Sequence, residues 1–211
     1  MLSVTQLSEL TTTPKINEIS YKLLAEYYSE YLLDTEYTYS LNYSIDGQAK
    51  KEVITICCNK ENFCHLLGIE KIAKPFIRGK DIFQYKGESG WNNVINENFT
   101  MSSLKKLNKK EFNNNKDKAI FFYLIPKILK NPKIIKFDNS IVEPKTSITS
   151  EFVFYESTLN AYVHIGMDYK DGKYFPRSLF IERINKNKSG DKYIKNQTKV
   201  TIEENKITIT N

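Results

Sequence analysis

The apolar pattern of this 211-residue chain changes its period at Pro132, and any fold it adopts has to accommodate both halves. Upstream, Ile16, Ile19, Leu23, Tyr27 and Tyr31 keep helical spacing behind Thr13-Pro14, a threonine cap with proline at the first helical position. The spacing predicts a helix running to Leu33. Downstream, Lys133–Phe137, Ser150–Tyr155, Ala161–Met167, Tyr174–Arg183, Tyr193–Ile202 and Lys206–Thr210 alternate with period two and read as strands. Asp171-Gly172 marks a tight hairpin among them. An earlier hairpin, Tyr37–Ile45 and Glu52–Cys58, turns at Asp46-Gly47. Helices followed by strands imply an α+β fold, an antiparallel sheet covered by helices.

The intervening segments read less regularly. Gly79 to Phe99 is expected to be irregular, with Trp91 anchoring it on the core rather than offering a stacking platform. Ser102 or Ser103 caps a short basic helix, Asn113-Asn114-Asn115 breaks the chain, and Asp117 opens a helix that Pro126 kinks or divides. Twelve Phe and fourteen Tyr exclude a disordered chain. A net charge of +6 favours an anionic partner. Cys57, Cys58 and Cys64 lie within eight residues, an odd number on a strand and helix that does not suggest a disulfide framework, and no second ligand cluster supports zinc, so a reducing cytoplasm is expected and no metal or cofactor. No signal peptide or membrane span is read, which leaves no membrane partner.

The densest motif is Asn59-Lys60-Glu61-Asn62-Phe63-Cys64-His65-Leu66-Leu67-Gly68-Ile69. Asn59 is its expected N-cap and Gly68 its stop, while Phe63, Leu66 and Leu67 form one apolar face. Glu61 and His65, four residues apart, share the other face, where a carboxylate can orient or charge an imidazole. His65 is one of only two histidines, so it is either a surface partner of Glu61 or the first candidate for proton transfer.

Within that motif, Asn62-Phe63-Cys64-His65-Leu66-Leu67-Gly68-Ile69 resembles the Asn-Phe-x-His-Leu-x-Gly-Ile signature of the fourth group of phage-associated barnase–EndoU–colicin E5/D–RelE-like nucleases. Phe121–Leu129, Ser147–Tyr155, Ala161–Met167 and the Lys173-Tyr174-Phe175-Pro176-Arg177-Ser178-Leu179-Phe180 stretch resemble later parts of that family in order. Leu67 replaces its usual threonine and Leu179 a common phenylalanine. The resemblance implies a nuclease core of about five antiparallel strands packed against N-terminal helices. It also implies metal-independent ribonuclease activity, often that of a toxin. We therefore expect a single α+β domain over 1–211, with a helical extension over 1–35 and the core over 36–211.

Cleavage of RNA without a metal uses the 2′-hydroxyl as nucleophile and needs a base, an acid at the 5′-oxygen and cations on the phosphate. His65 is the acid/base candidate with Glu61 as its orienting partner, Arg177 can clamp the phosphate bidentately, and Ser178 can donate to a non-bridging oxygen. Adjacent strand residues point to opposite faces, so Arg177 and Ser178 share a site only if a bulge near Pro176 intervenes. Lys136, Lys173, Tyr174 and His164 complete the expected nucleic-acid-binding set, with Lys136 alternatively a solvated strand lysine and His164 alternatively structural. The hairpin at Asp171-Gly172 predicts His164 opposite Leu179. Expected partners are RNA, such as tRNA or mRNA, and an antitoxin or inhibitor protein. The competing expectation is a non-catalytic RNA- or protein-binding module that keeps the fold.

Overall fold

The computed structural model describes residues 1–158 and 160–210. Two compact units divide it: Met1–Leu33 with Asn59–Leu124, and Asp34–Cys58 with Ile125–Asn211.

The first unit is helical. It comprises α1 (Val4–Ser8), α2 (Tyr21–Tyr31), α3 (Lys60–Leu66), α4 (Ile69–Ala73), α5 (Gly87–Ile95), α6 (Met101–Leu107) and α7 (Lys109–Phe121). Thr13-Pro14 does not start α2; Ser20 does, its hydroxyl accepting from the Leu23 amide at 3.1 Å. Thr100 likewise caps α6 in place of the expected serines, accepting from Ser103 N at 3.2 Å. The stretch expected to be irregular holds α5, and Trp91 lies buried on it. Asn113 to Asn115 do not break α7. Asn115 is buried, and its amide donates back to the Glu111 carbonyl at 2.9 Å, bonding within the helix instead of competing with it. The centre of this unit is aromatic: Tyr28 sits 5.5 Å from Phe63, 5.8 Å from Trp91 and 6.0 Å from Phe122, ring to ring.

The second unit corrects the expected sheet. Its strands are β1 (Thr35–Ile45), β2 (Gln48–Cys57), β3 (Lys133–Lys136), β4 (Phe152–Ser157), β5 (Ala161–Lys170), β6 (Lys173–Arg183) and β7 (Thr198–Ile209), and it also holds α8 (Ile125–Lys130). They close into a seven-stranded barrel in the order β1-β2-β6-β5-β4-β3-β7, not an open antiparallel sheet of about five strands. Two pairings cause the difference. The early hairpin joins the C-terminal strands through β1 against β7, and through a parallel contact of β2 with β6 at Ile56↔Tyr174. The segments Tyr193–Ile202 and Lys206–Thr210, expected as two strands, are replaced by one long β7, which absorbs an irregularity opposite Ser40/Leu41. Closure covers the sheet edges except along β2, which meets β6 at that single pair.

Alternation then fills the barrel. Tyr39, Leu41, Ile54, Ile56, Ile134, Phe154, Val163, Ile165 and Leu179 are all buried. Tyr39 packs edge-on to Phe154 at 5.4 Å and donates its hydroxyl to the Leu129 carbonyl at the end of α8. On the outer face of β3–β6, Ile135, Val153, Tyr155, His164 and Phe180 lie under a covering that includes Tyr193 and Ile194.

Candidate active site

Continuing the inward alternation of each strand to one end of the barrel brings polar groups into phase with the core. Tyr43 follows Tyr39 and Leu41 on β1, Glu52 precedes Ile54 and Ile56 on β2, and Lys136 follows Ile134 on β3. Tyr169 continues Ile165 and Met167 on β5, opposite Tyr174 on β6. Glu151 stands just before β4, its main chain tied to Phe137 and Met167. Phe152 forms the floor beneath them, with Tyr43 at 6.0 Å and Tyr174 at 5.7 Å.

These groups make one hydrogen-bonded chain. Lys136 Nζ donates to Glu151 Oε1 at 2.5 Å. Tyr174 Oη lies 2.7 Å from Glu151 Oε2 and 3.2 Å from Glu52 Oε1, and Tyr43 donates to Glu52 Oε2 at 2.8 Å. A phenol has one proton, so the shorter contact takes it and Tyr174 donates to Glu151. Glu52 Oε1 then faces an oxygen without a proton between them and keeps its capacity to accept. The Lys136 ammonium also lies over the Phe152 ring at 4.3 Å, a cation–π contact that fixes its position.

The electrostatics follow from these contacts. Burial alone would push the Glu151 carboxyl up, but hydrogen bonds from Lys136 and Tyr174, with the lysine charge, hold it below the ordinary carboxylate range. Burial and the neighbouring Glu151 and Glu52 raise Tyr174, so it stays a protonated donor at neutral pH. Burial and Glu52 push Tyr43 up to about 12. Glu52, Glu151, Tyr169 and Tyr174 line an open cleft of about 330 Å³ beside β2.

The residues singled out from sequence fall into separate places. Lys136 and Tyr174 meet through Glu151. Lys173 is engaged by Glu36 at 2.5 Å and Arg177 approaches Asp168 at 3.9 Å. A register shift between Gly166 and Met167 makes Arg177 a bulge residue, as Pro176 allowed, but Ser178 still turns to the outer face and packs against Gly166. The same shift moves His164 opposite Phe180, not Leu179. His164 is fully buried, its ring stacked 4.7 Å from Phe180. Nδ1 lies 3.2 Å from the Phe180 carbonyl, which can only accept, so the proton sits on Nδ1 and Nε2 has no partner among the described residues. Burial pushes this imidazole down to about 3, against the opposing pull of that carbonyl.

His65 and Glu61 are exposed, one turn apart on α3 in the helical unit. Their motif neighbours are packing residues. Phe63, Leu66 and Leu67 are buried, and Gly68 holds φ 69° with Asn115 Oδ1 only 2.4 Å from where a Cβ would stand. Sequence reading missed Glu52, Glu151 and Tyr43. Their signal was phase: charged or phenolic residues at positions that continue a buried alternation.

Among the described residues no group of three or more His, Cys, Asp or Glu side chains is placed to hold a metal ion, and no helix is long and apolar enough to cross a membrane. The sequence model of a family described as phage-Barnase-EndoU-ColicinE5/D-RelE like nuclease4 matches residues 22–208, from α2 to the end of β7. No curated protein and no solved structure matches the chain.

Proposed function

Because the chain belongs to the phage-Barnase-EndoU-ColicinE5/D-RelE like nuclease family, we propose that it is a toxin-like endoribonuclease whose barrel mouth cleaves RNA by metal-independent transesterification. The observation that carries this reading is Glu52 Oε1. It lies 3.2 Å from a hydroxyl whose proton belongs to Glu151, in a residue that lines the cleft. Such an oxygen is prepared to accept a proton from substrate.

In this reading Glu52 takes the proton of the 2′-hydroxyl as its oxygen attacks phosphorus. The bond from phosphorus to the 5′-oxygen breaks as Lys136 protonates the leaving oxygen, giving a cyclic phosphate and a free 5′-hydroxyl. Tyr174, between base and acid, turns its single hydroxyl proton from Glu151 to a non-bridging oxygen as charge builds there. Glu151 holds Lys136 and Tyr174 in place. The chain Glu52–Tyr174–Glu151–Lys136 then carries the proton from base back to acid.

A second reading rests on His65, exposed among buried motif neighbours and so not accounted for by packing. In that reading the imidazole is the acid/base and Glu61 orients it.

The test is incubation of the purified protein with total RNA and tRNA in EDTA. Cleavage with cyclic-phosphate ends is expected. Tyr174→Phe and Glu52→Gln should each slow it roughly a hundredfold or more while the melting temperature is nearly unchanged. Salt-sensitive RNA binding without products would favour the non-catalytic module instead.

A further inference from the structure

Beside the reactive chain the barrel wall is incomplete on one side. Strand β2 meets β6 only at Ile56↔Tyr174, so the main chain of Glu52 to Thr55 has β1 on one side and the cleft on the other. In a strand so placed, part of the backbone amides and carbonyls point into the open side. Across the cleft stands Tyr169. Its side of β5 faces the barrel mouth, its ring centre is 5.0 Å from Tyr174, and it is 60% exposed. Val53, on the near wall, is 69% exposed. The Tyr169 ring, held by its neighbour yet open to solvent, adjoins the hydroxyl assigned to the phosphate.

We infer that this cleft is a nucleobase subsite, in which the base next to the scissile phosphate stacks on Tyr169 while the free edge of β2 meets its hydrogen-bonding edge. The inference rests on the ribonuclease reading for its substrate class. The volume, about 330 Å³, suits one nucleotide and is at the small end for ligand sites. A base in a duplex cannot reach it without unstacking, so the subsite selects single-stranded RNA. Aromatic stacking tolerates every base, whereas the β2 edge supplies the discrimination. A protein strand adding to β2 would use the same edge but would leave the exposed Tyr169 ring unused, so the base is the better occupant.

The probe is a short single-stranded oligonucleotide in 2′-O-methyl form, which cannot be cleaved, with 2-aminopurine at one position. Quenching of 2-aminopurine on binding to the full chain is expected, and a hairpin stem of the same sequence should compete poorly. Tyr169→Phe and Tyr169→Trp should keep the quenching, and Tyr169→Ala should lose it and weaken binding by on the order of tenfold or more. Unquenched binding of equal strength in Tyr169→Ala, or no binding by the wild-type chain, overturns the subsite. RNA cleavage is measured in parallel. Cleavage with an unchanged KM in Tyr169→Ala refutes the subsite alone, and stacking without cleavage refutes the nuclease mechanism alone.

Discussion

Helix α3 and the barrel mouth both present titratable side chains, but they are assembled in opposite ways. The α3 motif is contiguous. Its residues are specified by one short helix, a glycine stop and an apolar face, and most of them are buried. The barrel mouth draws single residues from strands far apart in sequence, and only the long-range pairing of the barrel brings them within hydrogen-bond reach. A dense signature therefore records local packing well. Proton-transfer chemistry needs groups on opposite sides of a substrate, and a single helix face rarely supplies those.

The largest effect that would sharpen this contrast is at Glu151. Glu151→Gln removes the anion that holds Lys136 and Tyr174, and single-turnover RNA cleavage should fall by roughly a hundredfold or more. The Glu151 carboxyl is depressed in the fold, so its ion pair with Lys136 is intact above the ordinary carboxylate value and is lost only as pH falls below it.

The next effect is on stability, in α3. Gly68→Ala forces a side chain into a left-handed conformation and against Asn115. The conformation alone costs about 1–2 kcal/mol, so thermal denaturation should show a clearly lowered midpoint.

A smaller effect belongs to His164. Its folded imidazole is pushed far below the unfolded value, so between about pH 3 and 6.5 the unfolded chain binds the extra proton and acid erodes stability. His164→Phe keeps the stack on Phe180 and removes the orphaned Nε2. Melting curves taken from pH 7 to 4 should then fall less steeply than those of the wild type.

Legibility divides along the same line. The turns at Asp46-Gly47 and Asp171-Gly172 could be read because positive φ at both positions is a local demand, met here at 51° and 78° and at 51° and 84°. Gly68, at φ 69°, could be read as a helix stop for the same reason, and Asn59, extended at φ −118°, as an N-cap by its residue type. Barrel closure could not, because β1 meets β7 across most of the chain and β2 meets β6 at one residue pair. Lys136 and Tyr174 were identifiable singly as a cation and an aromatic. Glu52 carries no local mark in the sequence, and only its phase with Ile54 and Ile56 inside a closed barrel singles it out.

Chemistry in the barrel mouth and chemistry on α3 are separated by assaying His65→Ala and Glu52→Gln on the same RNA, in EDTA, with melting curves recorded for both. With the base in the barrel mouth, His65→Ala changes the rate by less than about threefold, whereas Glu52→Gln loses roughly the hundredfold or more expected of a general base. Loss of cleavage in a folded His65→Ala protein, with Glu52→Gln still active, would contradict that placement.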